Sequence, residues 1–83
     1  MPTRQEIKDK IKSLLNELMG LNHDEINEDA LLYEDYGADS IVIVQLYLSC
    51  QEYFNITLAD EVNLAEPTSV NSMADIIERK LGK

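Results

Sequence analysis

A chain of 83 residues holds one hydrophobic core and needs nearly every large apolar side chain inside it, which excludes an elaborate internal catalytic cleft and makes residues 1–83 one expected domain. Hydrophobic content of 45% beside 28% charged residues excludes a disordered chain, and 6% aromatic residues with three glycines disfavour a β-rich one. The net charge of −9 is uneven, with every Lys and Arg at or before Lys12 or at or after Arg79, so the middle of the chain disfavours nucleic acid and anionic membrane and favours basic protein partners.

The first segment places Thr3 three residues before Glu6, the spacing of a capping box in which each side chain satisfies a backbone donor near the helix start. Ile7, Ile11, Leu14, Leu15 and Leu18 then recur at helical spacing, and Gly20 supplies a left-handed stop. This segment alternates charge with Ile and Leu, as neither a signal peptide nor a membrane span does. No membrane insertion and a cytoplasmic location are expected.

Leu21 to Ala38 is acidic and has no sustained period, so it predicts a long loop pinned to the core by Ile26, Leu31, Leu32 and Tyr36. Loops of this length are uncommon in compact domains, which leaves room for short helical turns inside it. A second helix is predicted from Asp39 or Ser40 to Phe54, where Asn55 breaks it. Ile56, Thr57 and Leu58 come next as a short apolar connector. Asp60 to Glu66 predicts a brief third helix bounded by Pro67. Ser69 caps the last helix, whose stripe is Val70, Met73, Ala74, Ile77 and Leu81, with Gly82 closing it. The expected fold is all-α: a small bundle of three main helices plus one short helix, with a long loop between the first two.

The stretch that carries chemistry is Gly37-Ala38-Asp39-Ser40-Ile41, where a glycine turn delivers a serine to the first turn of a helix. Unpaired N–H groups and the positive dipole end there would favour a phosphate esterified to Ser40. On that evidence alone a plain helix cap is the better account of Asp39 and Ser40, since Asp-Ser at a helix start is very common. The helix beyond the serine adds a second signal. Its helical period puts Ile43, Leu46, Tyr47, Cys50 and Phe54 on one core face and Ile41, Gln45, Leu48 and Glu52 on the opposite one. Two bulky aliphatics thus face outward beyond the serine, rimmed by Glu34, Asp35, Asp39 and Glu52. Such a strip is a docking surface, with apolar contact at its centre and charge around it, or else a helix buried on both sides in an oligomer.

Gly37-Ala38-Asp39-Ser40-Ile41 resembles the phosphopantetheine attachment motif of acyl carrier proteins, usually Gly-x-Asp-Ser-Leu. The order of elements from Thr3 to Leu81 resembles the acyl-carrier-like bundle as well. The resemblance implies that Ser40 receives phosphopantetheine from coenzyme A through a phosphopantetheinyl transferase, with Asp39 helping to position magnesium and the coenzyme. It implies docking roles for Ile41, Leu48 and Glu52, and places Val44, Leu46, Tyr47 and Cys50 where the family opens a gap for the acyl chain. Partners would be acyl-transferring, condensing and tailoring enzymes with basic docking patches. Ile41 stands where leucine is usual and keeps the bulk. Gln45 and Gln51 stand where carriers of primary fatty-acid synthesis often have glutamate, which points to a dedicated carrier for polyketide, lipid or modified fatty-acid assembly.

The expected function is carriage without catalysis, by a monomer with no metal site. His23, the single histidine, has no neighbouring Ser or Cys to pair with, and Cys50 lies on the core face of its helix and forms no disulfide or ligand pair. The acidic loop lacks the alternating oxygen ligands of a calcium site. An aminoacyl or peptidyl carrier of the same fold, and an acidic interaction domain in which Ser40 is only a cap, are the alternative readings.

Overall fold

A computed structural model describes residues 1–82. Four α-helices form in chain order: α1 (Arg4–Met19), α2 (Leu32–Tyr36), α3 (Ser40–Phe54) and α4 (Val70–Lys80). Single 3-10 turns add His23–Glu25 and Ala59–Glu61, and no strand occurs among the described residues.

Thr3 caps α1 in a reciprocal capping box with Glu6, and Gly20 ends it in the left-handed conformation. Its stripe of Ile7, Ile11, Leu14 and Leu15 is buried, with Leu18 packed at the edge. α1 lies against both α3 and α4. The centre of the core is Ile7, Ile11 and Leu15 of α1, Leu46 and Cys50 of α3, and Met73 and Ile77 of α4. Asn55 ends α3 at φ 53, a conformation Asn tolerates better than most residues. Ser69 caps α4 in a second reciprocal box, with Ser72. Leu81 is half-buried against the core and Gly82 comes after it at positive φ.

The acidic connection from α1 to α3 is fastened rather than free. Its Glu28 carboxylate meets Lys8 at 3.0 Å and Lys12 at 2.8 Å. The Tyr36 hydroxyl accepts the Asn27 N–H at 2.8 Å, and the Asn71 N–H donates to the Glu28 carbonyl. Ile26 and Leu32 are buried, as expected of anchors. Arg4 joins the start of α1 to α4 through Asp75, at 2.8 Å, and Glu78. The positive charges at the two ends of the sequence therefore clamp elements together.

One element differs from expectation. Asp60 to Glu66 does not form a helix: a single 3-10 turn spans Ala59–Glu61, and the chain is extended at Val62. The Asn63 side chain accepts the Ala65 N–H and its carbonyl accepts the Glu66 N–H, so a local turn satisfies donors a helix would have used. Arg79 and Lys80 hold Glu61 and Asp60 at 2.7 and 2.8 Å, which fixes the turn against α4. The short α-helix lies instead before the serine, as α2.

Candidate functional site

Ser40 is positioned by a chain of local bonds. Leu31 begins α2 without a side-chain cap of its own. Asp35 supplies the need from within the helix, its carboxylate accepting the Leu31 N–H at 2.7 Å. Gly37 ends α2 at φ 72, a left-handed conformation that would strain any residue with a Cβ. The Gly37 N–H donates to the Tyr33 carbonyl and the Ala38 N–H to the Leu32 carbonyl, while the Ala38 side chain is fully buried. Asp39 then caps α3, its carboxylate accepting the Val42 N–H at 3.0 Å. Ser40 is the first helical residue and is exposed. Its hydroxyl stands at the positive end of a helix of 15 residues.

Beside Ser40 lies an open cleft of about 410 Å³. Tyr33 and Glu34 of α2, Asp39, Ser40 and Ile43 of α3, and Leu64 to Thr68 from the far connection form its walls. Tyr33 and Leu64 are exposed apolar side chains at this cleft. The residues present fit a phosphopantetheine arm: an accessible hydroxyl for the ester, a helix start for the phosphate, and an adjoining cleft with mixed polar and apolar walls for the pantetheine chain, which itself alternates amides with methylenes.

The outward ridge of α3 has the predicted composition. Ile41 is 67% exposed and Leu48 45%, values unusual for such residues in a small domain that needs its apolar groups inside. Gln45, Glu52, Glu34 and Asp35 are exposed as well. Leu48 and Glu52 also line a shallow groove with Gln51, Asn55 and Ile56. Gln51 has a structural task, since its side-chain oxygen accepts the N–H groups of Leu58 and Ala59 at 2.8 and 2.9 Å.

On the inner side, Leu46, Tyr47 and Cys50 are buried and Val44 is half-buried. None of these four lines the cleft beside Ser40, which reaches α3's inner face only at Ile43. Burial pushes the Cys50 thiol up to about 12, so it is an inert core residue. Burial also raises the Tyr47 hydroxyl above its ordinary pKa. His23 neighbours Asp24 at 3.3 Å and no nucleophile. Among the described residues no cluster of three potential ligands gathers for a metal. Likewise no helix is long and apolar enough to cross a membrane.

Sequence reasoning did not anticipate Tyr33, Leu64 and Thr68 at the site. The first two had a signal, each being a large apolar residue outside any periodic stripe. Thr68 had none, since it reaches Ser40's cleft only through the fold.

A family model described as the phosphopantetheine attachment site matches residues 9–77. The chain is similar to the acyl carrier protein of Thermotoga maritima, with 34% identity over 82 residues that cover 99% of this chain and 100% of that one. It is also similar to the acyl carrier protein of Buchnera aphidicola, with 41% identity over 90% of this chain and 95% of the relative. The acyl carrier protein of Akkermansia muciniphila is 34% identical over 86% of this chain and 84% of its own. A family match across most of the helical bundle, relatives aligned along nearly their whole length, and an accessible serine at the start of α3 agree: the chain belongs to the acyl carrier proteins, which carry phosphopantetheine.

Proposed function

We propose that Ser40 is the attachment point of phosphopantetheine, received from coenzyme A through a phosphopantetheinyl transferase. The observation that carries this assignment is the exposed Ser40 hydroxyl at the start of α3, opening onto a cleft and standing beside the exposed Ile41–Leu48 ridge. The arm, when bound, supplies a thiol that holds an acyl group as a thioester. The protein's own residues bind and orient. Asp39 caps the helix that presents Ser40 and contributes a carboxylate for the magnesium and coenzyme in the transferase encounter.

Ile41, Gln45 and Leu48 form the contact ridge for partner enzymes, and Glu34, Asp35 and Glu52 form its acidic rim. Such a rim steers basic docking patches and fixes orientation more than it adds affinity. The partners are acyl-transferring, condensing and tailoring enzymes, and the protein performs no reaction of its own. Shelter for the acyl group is proposed along the inner side of α3, entered beside Ile43, with Val44, Leu46, Tyr47 and Cys50 as candidate walls. Residues 1–83 act as one carrier domain, monomeric and cytoplasmic.

The uncharged Gln45 on the ridge supports a specialised pathway over primary fatty-acid synthesis. The test offers holo protein to a primary malonyl transferase, to acyl-activating enzymes and to amino-acid-activating enzymes, and monitors loading by intact mass. Acyl loading with poor use of the primary transferase is expected. Efficient malonyl loading would contradict the specialised assignment, and exclusive aminoacyl loading would contradict acyl carriage.

A further inference from the structure

Two apolar side chains on the walls of the cleft beside Ser40 have no task in the fold. Tyr33 of α2 is 63% exposed, Leu64 of the connection before α4 is 54% exposed, and neither belongs to the core or packs against it. The other three tyrosines are all engaged. Tyr36 accepts the Asn27 N–H through its hydroxyl, Tyr47 is buried in the core, and Tyr53 lies under the Lys10 ammonium at 4.2 Å and edge-on to Phe54. The Tyr33 side chain makes no hydrogen bond or ring contact among the described residues. A domain this small needs its large apolar groups inside, so two left out at one cleft mark a surface that something else covers.

What covers them follows from Ser40, which lines the same cleft. A group esterified there is tethered beside both walls, so its encounter with them is intramolecular and needs little intrinsic affinity. The cleft, at about 410 Å³, falls in the range of small-molecule sites, roughly 300–1,000 Å³. Beyond its phosphodiester, phosphopantetheine is uncharged, with a gem-dimethyl carbon followed by amides and methylenes. The cleft suits that composition. Tyr33 and Leu64 offer apolar contact, and the Glu34 and Glu66 carboxylates can accept amide N–H groups without repelling a neutral chain. We propose that Tyr33 and Leu64 clasp the uncharged part of the pantetheine arm, so that between deliveries the arm lies against the protein instead of swinging free. The proposal rests on Ser40 as the attachment point.

The test converts the full chain to its holo form with nitrogen-15-labelled coenzyme A and a promiscuous transferase, and reads intact mass first. An unmodified chain overturns the Ser40 assignment and this inference with it. A modified chain upholds that assignment and leaves only the position of the arm in question. In holo protein without any partner, the gem-dimethyl protons are expected to show NOEs to the Tyr33 ring and the Leu64 methyl groups, whose resonances move relative to the apo form. The arm amide nearer the phosphate is expected to have an order parameter above about 0.6, the bound below which a chain is flexible. Tyr33→Ala and Leu64→Ala change exposed positions that the core does not need, and each is expected to weaken the NOEs and lower that order parameter. Tyr33→Phe keeps the ring and is expected to behave as wild type. An arm as mobile in the wild type as in free coenzyme A, Tyr33 and Leu64 resonances that match the apo form, or an order parameter unchanged in both alanine variants would overturn the proposal.

Discussion

The Leu32 N–H donates to the Thr68 carbonyl at 2.8 Å, joining the short helix before Ser40 to the residue just ahead of the α4 cap. Thr68 lines the cleft, and Leu32 is the fully buried residue beneath Tyr33 and Glu34, which also line it. One backbone bond therefore sets the spacing of two cleft walls that lie far apart in sequence. Leu32→Ala is expected to destabilise the protein by about 2–5 kcal/mol, the usual effect of emptying a buried leucine site. Urea denaturation measures the loss. A loss below about 1 kcal/mol would mean that α2 is not anchored by this side chain.

Asp39 caps α3, and the proposed function gives it a second role in phosphopantetheine transfer; two substitutions divide the two. Asp39→Ala removes the acceptor of the Val42 N–H and is expected to cost about 0.5–2 kcal/mol. Asp39→Asn keeps an acceptor at the cap and is expected to stay close to wild type in stability while phosphopantetheine transfer slows. Chemical denaturation and a timed intact-mass assay on both variants check this. Equal transfer rates in wild type and Asp39→Asn would assign Asp39 to capping alone.

The exposed ridge predicts loss of delivery without loss of fold. Ile41→Glu and Leu48→Glu are each expected to change stability by no more than about 0.5 kcal/mol, since both side chains already face solvent. Both are expected to slow acyl transfer to a partner enzyme through a raised KM. A large fall in melting temperature would show instead that the ridge is covered in the free protein.

Glu28 makes stability pH-dependent in a stated direction. Hydrogen bonds from Lys12 first and Lys8 second hold its pKa below the ordinary value of 4.5. A carboxyl with a depressed folded pKa stabilises the fold above its unfolded pKa, and that contribution disappears as pH falls through the folded value. Glu28→Gln is therefore expected to be less stable than wild type at about pH 7, and the difference is expected to shrink as pH falls below 4.5 and through the depressed folded pKa. A difference that does not change with pH would contradict the assignment to ion pairing.

Most of the helical frame was legible because its signals are local. Thr3 with Glu6, Asn55 after Phe54, and Ser69 before Val70 each mark an end by side chains within a few residues of it. The outward exposure of Ile41 and Leu48 was legible for the same reason, as a matter of angle on one helix. α2 was not, since five residues are too few to show a period, and its start depends on Asp35 reaching back to Leu31. The segment after Ala59 misled because its acids look like a helix start. Asp60 and Glu61 are instead taken by Lys80 and Arg79, and Asn63 makes its own turn. The cleft was illegible because Tyr33, Leu64 and Thr68 meet Ser40 only through tertiary contacts.

The most direct measurement is intact mass spectrometry of the purified chain after incubation with coenzyme A, magnesium and a promiscuous phosphopantetheinyl transferase, with Ser40→Ala in parallel. The wild type is expected to gain the mass of one phosphopantetheine arm, and the folded Ser40→Ala variant none. A folded wild type that gains nothing, or a variant that is still modified, would contradict attachment at Ser40.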